Sequence, residues 1–171
     1  MSYVLFSWPI RVYWEDTDGG GVVYHANYLR FLERARTEWL RSMGIGQEAL
    51  RKEQDVVFAV RSVQLDFLAP ARLDDELLAT VELSAVRGAS LSFRQVLARA
   101  DGTELVKASV RAACLTASTF RPRPLPAATP ATAHTSSASE SIRRPGPAPC
   151  RRGCRPARRA PNGRRCCGPG R

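Results

Sequence analysis

The sequence predicts an α+β fold in which a five-stranded antiparallel sheet wraps one long helix. Three observations predict it. The chain opens on an alternating, period-two segment, then runs into a stretch with helical periodicity, residues 26–43. Four more alternating runs follow, joined by short turn signals. One apolar helix against a meander of strands is an α+β layer arrangement.

Each element has its own signature. In residues 3–14, Phe6, Trp8, Ile10, Val12 and Trp14 fall on one face, opposite Ser7, Arg11 and Tyr13. Pro9 cannot donate to a ladder, which places this strand at an edge or makes Pro9 its start. In the helix, Tyr28, Phe31, Leu32, Ala35, Trp39, Leu40 and Met43 repeat at i, i+3, i+4, i+7. Arg30, Glu33, Arg34, Arg36, Glu38 and Arg41 take the other face, with Arg34 and Glu38 as an i,i+4 pair. Gly44 is placed to cap the C-terminus in the left-handed conformation. At 1.5 Å per residue such a helix is about 27 Å long, enough for several strands to cross.

Residues 46–55 read as a polar connection with room for a helical turn. Strand patterns follow over residues 56–68 (Val63, Leu65 and Phe67 inward), 77–84 (Leu77, Val81, Leu83), 90–100 (Leu91, Phe93) and 104–116 (Val106, Val110, Cys114). Asp101-Gly102 is a strong two-residue hairpin signal, and Arg87-Gly88-Ala89 a looser one. Such a sheet keeps unpaired edges, so the chain is expected to pair with itself as a homodimer or homotetramer.

Charge divides the chain. Residues 1–125 carry 16 Lys+Arg against 15 Asp+Glu, a net of +1, whereas residues 126–171 carry 10 against 1, a net of +9. Past Leu125, Ile142 is the one residue from the set Val, Ile, Leu, Met, Phe, Trp and Tyr. A segment so poor in apolar side chains cannot offset its ordering entropy by burial. The domain is therefore expected over residues 1–126, with 127–171 a disordered basic tail rich in Pro, Arg and Ala. The tail's charge is compatible with peripheral association at an anionic membrane. It has no aromatic residue for base stacking, which argues against nucleic acid. Four of five cysteines lie in this tail, so no disulfide framework holds the body, where Cys114 stands alone. The N-terminus lacks the basic and apolar regions of a signal peptide, and no apolar run approaches bilayer length, so a cytoplasmic protein is expected.

The stretch from Glu15 to Tyr28, EDTDGGGVVYHANY, carries the chemistry. It gathers three carboxylates, three consecutive glycines and His25 immediately before the helix. On composition alone, an aspartate before glycines is most often a turn former, and Glu15 and Asp16 read as loop-solvating or helix-dipole charges. Other motifs fail. A calcium loop starting at Asp16 would need Glu at its twelfth position, which is Asn27. No Lys-Ser/Thr follows the glycines, which excludes a P-loop. No serine sits in a nucleophile elbow. One histidine and one cysteine are too few for a zinc site in the body.

The segment FSWPIRVYWEDTDGGGVVYHANYLRFLERARTEWLR resembles the N-terminal half of the hotdog-fold acyl-CoA thioesterases. It is most similar to the Tol–Pal-associated branch, relatives of hydroxybenzoyl-CoA thioesterase. The resemblance runs over residues 3–126 and rests on the pattern D-x-x-G-x-V-x-x-x-x-Y, here Asp18, Gly21, Val23 and Tyr28. It implies a hotdog fold and acyl-CoA hydrolysis to free acid and CoA. It also implies that Asp18 is the catalytic carboxylate, with no metal and no tightly bound cofactor. The tail departs from the family, whose members end soon after the last strand. Its Arg, Pro, Ala and Gly are residues of GC-rich codons, which motivates the hypothesis that it is a frameshift product. Reading the coding DNA in the other two frames tests this, and finding no family-like terminus in either ends it.

Thioester hydrolysis asks for an activated nucleophile and an oxyanion site, because the thiolate leaves without a strong general acid. Asp18 can act as nucleophile or base. The backbone N–H groups of Tyr24 and His25, near the start of the helix, are the expected oxyanion donors. The His25 imidazole is expected to orient the acyl group or a water. Gly19, Gly20 and Gly21 let the chain turn with φ > 0 and let a substrate approach the backbone. Gly21 and Asn27 are the residues expected at the substrate. Arg61, Arg87 and Arg94 are available for CoA phosphates. Two other classes fit the same chain: a non-catalytic acyl-binding or cell-envelope scaffold protein on this fold, and a nucleic-acid binder acting through the tail.

Overall fold

The computed structural model describes residues 5–126, which fall within one unit, Met1–Ser139. The expected tail lies outside the described residues. Five strands, β1 (Phe6–Arg11), β2 (Val56–Phe67), β3 (Glu76–Arg87), β4 (Ser90–Arg99) and β5 (Glu104–Thr116), form one antiparallel sheet in the order β1-β3-β4-β5-β2. Helix α1 (Asn27–Ser42) follows β1, and a second helix, α2 (Gln47–Gln54), precedes β2. The element order is the expected one. The connection at 46–55 is more regular than its polarity suggested, with two full helical turns.

The core forms where the α1 stripe meets the inner sheet face. Phe31, Leu32 and Ala35 of α1 are buried against Ile10, Leu77, Ala79, Val81, Leu97, Val106 and Val110. Burying such side chains supplies about 1.5–3 kcal/mol each and is what drives the fold together. At its C-terminus α1 stops as expected: Gly44 has φ 76°, and its N–H donates to Arg41 O at 2.8 Å. No helix among the described residues is long and apolar enough to cross a membrane.

Several sequence expectations change for tertiary reasons. Trp14 continues no strand. It sits in a 3-10 turn, Trp14–Asp16, and is 79% exposed. Arg36, expected on the solvent face of α1, is buried: its guanidinium donates to Gln95 Oε1 at 2.5 Å and pairs with Glu33. Gln95 in turn donates to Leu32 O at 3.2 Å, so a polar clamp fixes helix to sheet. Arg34 forms no ion pair with Glu38; Arg41 takes that partner.

Helix α1 packs on β1 and β3, and α2 on β2, so the helix does not cover the sheet evenly. At the far end of β2 the inward Val63 and Phe67 stay partly exposed, although Leu65 packs on the core and the Tyr28 ring of α1 meets Phe67 edge-on. The two hairpins also exchange character. Asp101 and Gly102 belong to a three-residue loop: Gly102 N–H donates to Arg99 O, Arg99 N–H donates to Thr103 O, and Gly102 alone has positive φ. That is a type I turn closed by a left-handed glycine. The two-residue turn is Gly88-Ala89, with Arg87 paired to Ser90 and Gly88 at φ 58°.

Candidate active site

The reactive stretch folds as a small hairpin set against the helix start. Beyond β1, Val12 N–H donates to Asp75 O and the chain enters the 3-10 turn, which Tyr13 and Asp16 close reciprocally. Thr17 and Val23 then form an isolated bridge. Between them Asp18 N–H donates to Val22 O at 2.9 Å, and Gly21 N–H donates to Asp18 O at 3.0 Å. Only Gly21 of the three glycines uses positive φ, at 71°, so the expectation for Gly19 and Gly20 is corrected. Gly20 serves differently. Its N–H donates to Asp18 Oδ1 at 2.8 Å, and a Cβ there would lie 3.1 Å from that oxygen. The missing side chain is what lets the carboxylate fold over the backbone.

Asp18 thus has a fixed carboxylate that still faces solvent. It lines none of four cavities of the single chain, which lie under the C-terminal half of α1, around α2 and beside β1 and β3. The largest of the four, about 610 Å³, is walled by Pro9, Ile10, Tyr13 and Leu78 and is separate from the loop chemistry. Among the described residues no group of three or more His, Cys, Asp or Glu is placed to hold a metal.

Past the hairpin, Val23 is buried and its N–H donates to Ala71 O. Helix α1 then begins at Asn27 with Ala26 as its N-cap, as the periodicity required. This N-terminus has no side-chain cap and no acidic residue in its first turn. Uncapped amides and the helix dipole make such an end receptive to negative charge. The Tyr24 N–H, expected to face the oxyanion, donates to Asp16 O at 2.9 Å and is already used. Among the described residues the His25 and Ala26 N–H groups meet no backbone acceptor. The exposed His25 ring lies 4.4 Å from that of Tyr24.

Two residues play parts the sequence did not suggest. Asp16, expected in solvent, is 2% exposed, and its Oδ2 accepts the Tyr13 N–H at 3.0 Å. Asn27, expected at the substrate, is 8% exposed and turns inward, its Nδ2 donating to Asp16 O at 3.0 Å. Asn27 shares the i, i+4 row of Phe31 and Ala35, so helical spacing could have marked it as inward, whereas no periodicity marks Asp16, whose burial follows from the loop folding back on itself. Gly21, by contrast, faces open space. Of the three arginines named for phosphate, Arg94 pairs with Glu82 at 2.9 Å, while Arg61 at a bulge of β2 and Arg87 at the end of β3 are exposed.

Comparisons with known proteins agree with this architecture. The family description "Thioesterase superfamily" matches residues 20–106, beginning two positions after Asp18. The acyl-CoA thioester hydrolase YbgC of Escherichia coli O6:H1 is 49% identical over 126 residues, covering 74% of this chain and 93% of that protein. The acyl-CoA thioesterase YbgC of Haemophilus influenzae is 47% identical over 121 residues, covering 71% and 88%. A probable thioesterase from Bartonella henselae superposes with a TM-score of 0.69 at 35% identity, covering 72% of this chain and all of that one. On this match, these identities and this superposition the chain has the hotdog fold and belongs to the thioesterase superfamily.

Proposed function

We propose that this chain is an acyl-CoA thioester hydrolase, with Asp18 as its catalytic carboxylate and the helix start as its oxyanion site. The observation that carries this reading is the uncapped start of α1, where the His25 and Ala26 amides meet no backbone acceptor, following in sequence a hairpin that anchors the Asp18 carboxylate to the Gly20 N–H. Asp18 either takes a proton from a water that adds to the thioester carbonyl, or adds to that carbonyl itself and is released by water. Both routes consume one water, break the C–S bond and yield the acid and the CoA thiol. The amides stabilise the charge that develops on the carbonyl oxygen, in the way preorganised donors do. The His25 ring orients the acyl group or the water, and the open space beside Gly21 admits the thioester. The exposed arginines, Arg61 and Arg87 before Arg94, are the candidates for CoA phosphates.

Asp18 lies open on the single chain, whereas hydrolysis of this kind gains from water-excluded surroundings. A second copy supplies the enclosure in this reading, seated on the edge strand β2, where Val60, Val63, Phe67 and Leu68 are exposed. A Val63→Glu variant then elutes as a smaller species in size-exclusion chromatography with light scattering and loses turnover. A cytoplasmic location is part of the same reading.

The decisive variant is Asp18→Asn. Its amide oxygen still accepts the Gly20 N–H, so the hairpin keeps its shape while the charge is lost. Thiol release from acyl-CoA is expected to fall by about 10²–10⁴-fold with unchanged thermal unfolding. Retained turnover removes Asp18 from the mechanism, and acyl-CoA binding without turnover by the native chain moves the function to acyl binding.

A further inference from the structure

The reactive hairpin and the helix that supplies the amides are separate pieces of backbone, and one buried carbonyl ties them together. Asp16 O accepts two hydrogen bonds: from Tyr24 N–H at 2.9 Å and from Asn27 Nδ2 at 3.0 Å. A carbonyl oxygen has two lone pairs, so this acceptor is saturated. Asp16 precedes Asp18 by two residues. Tyr24 precedes the unpaired His25 and Ala26 amides, and Asn27 is the first residue of α1. The Asn27 backbone N–H also donates to Tyr24 O at 2.8 Å, which closes the circuit. The Asp16 side chain, buried and bonded to Tyr13 N–H, holds this carbonyl against the 3-10 turn.

We infer that Asn27 is a positioning residue: through Asp16 O it sets the separation between the Asp18 carboxylate and the amides at the start of α1. This inference rests on the proposed reading of Asp18 and those amides. The geometry favours positioning over substrate contact, since the Asn27 side chain is buried and its donor is engaged. The backbone acceptor at residue 16 cannot be removed by substitution there, so Asn27 is the accessible half of the brace. Arg30 Nη1 lies 3.5 Å from Asn27 Oδ1, too long to fix the ring of contacts alone.

The test compares Asn27→Ala and Asn27→Asp with the native full chain and with Asp18→Asn. Asp is the closest isostere but, ionised, offers no donor to the carbonyl. Misplacing reacting groups by about 1 Å costs up to about 10²-fold in rate. Both variants are therefore expected to lose about ten- to a hundredfold in kcat with KM for acyl-CoA changed less than about twofold. Amide hydrogen exchange at Tyr24, which shares the carbonyl, is expected to accelerate in both. A purely structural role would instead lower the unfolding midpoint and leave the kcat of the folded fraction unchanged, which overturns the inference. So does unaltered kcat with Asp18→Asn inactive. Should Asp18→Asn itself stay active, the reading of the carboxylate fails first, and the two failures are distinct.

Discussion

Tyr28 gives the sharpest test of how the helix is held to the loop. Its periodicity marks it as core, and it is buried, but its hydroxyl does separate work. It accepts the Ala71 N–H at 2.9 Å, while Ala71 O accepts the Val23 N–H at the far side of the reactive hairpin. Ala71 is fully buried. Tyr28→Phe keeps the edge-on contacts with Phe31 and Phe67 and removes only the acceptor. A buried N–H left without a partner costs about 1–3 kcal/mol. For the 122 described residues, unfolding entropy is about 0.26 kcal/mol/K, so the midpoint should fall by about 4–12 °C. Thermal denaturation by circular dichroism measures this, and urea titration checks that the m-value is unchanged. A fall of less than about 1 °C at constant m would mean that the Ala71 N–H is satisfied without Tyr28, and that the hydroxyl does not hold the helix to the loop.

Other outcomes follow from the same geometry. The chain after β5 turns back, with Thr116 N–H donating to Arg121 O and Arg123 N–H to Cys114 O, and buries Leu125. Leu125→Ala should cost about 2–3 kcal/mol in a urea titration, whereas a chain ending at Pro126 should unfold with the native midpoint. The Asp55 carboxyl is held below its ordinary value of 3.8, first by the Ser118 hydroxyl and further by the Ser118 N–H and the Arg123 charge. Its folded value lies below its unfolded one, so these contacts stabilise above the unfolded value and are lost as pH falls through the folded value. Ser118→Ala should therefore lower the urea midpoint at neutral pH, with an effect that shrinks below about pH 4. Asp18→Asn and the Asn27 variants complete the set, read by thiol release and by the split between kcat and KM.

The periodic elements were legible because their signal is local. The α1 stripe from Tyr28 to Leu40, the inward rows of β3, β4 and β5, and the glycine past the helix end each follow from side-chain spacing along a few turns or strands. The D-x-x-G-x-V pattern pointed to the reactive loop through the family resemblance and not through spacing, and its folding as a hairpin emerged only in the structure. Tertiary structure decided the rest. Arg36 is buried because Gln95, 59 residues away, offers it an acceptor. Phe67 stays exposed because β2 is an edge strand, even though the Tyr28 ring of α1 meets it edge-on. Asp16 and Asn27 are buried because the chain from 13 to 27 doubles back on one carbonyl, and the Tyr24 amide is occupied for that reason. Spacing fixes which face a residue shares with its neighbours along the chain. Which distant backbone group receives its hydrogen bond is set only when the chain closes on itself.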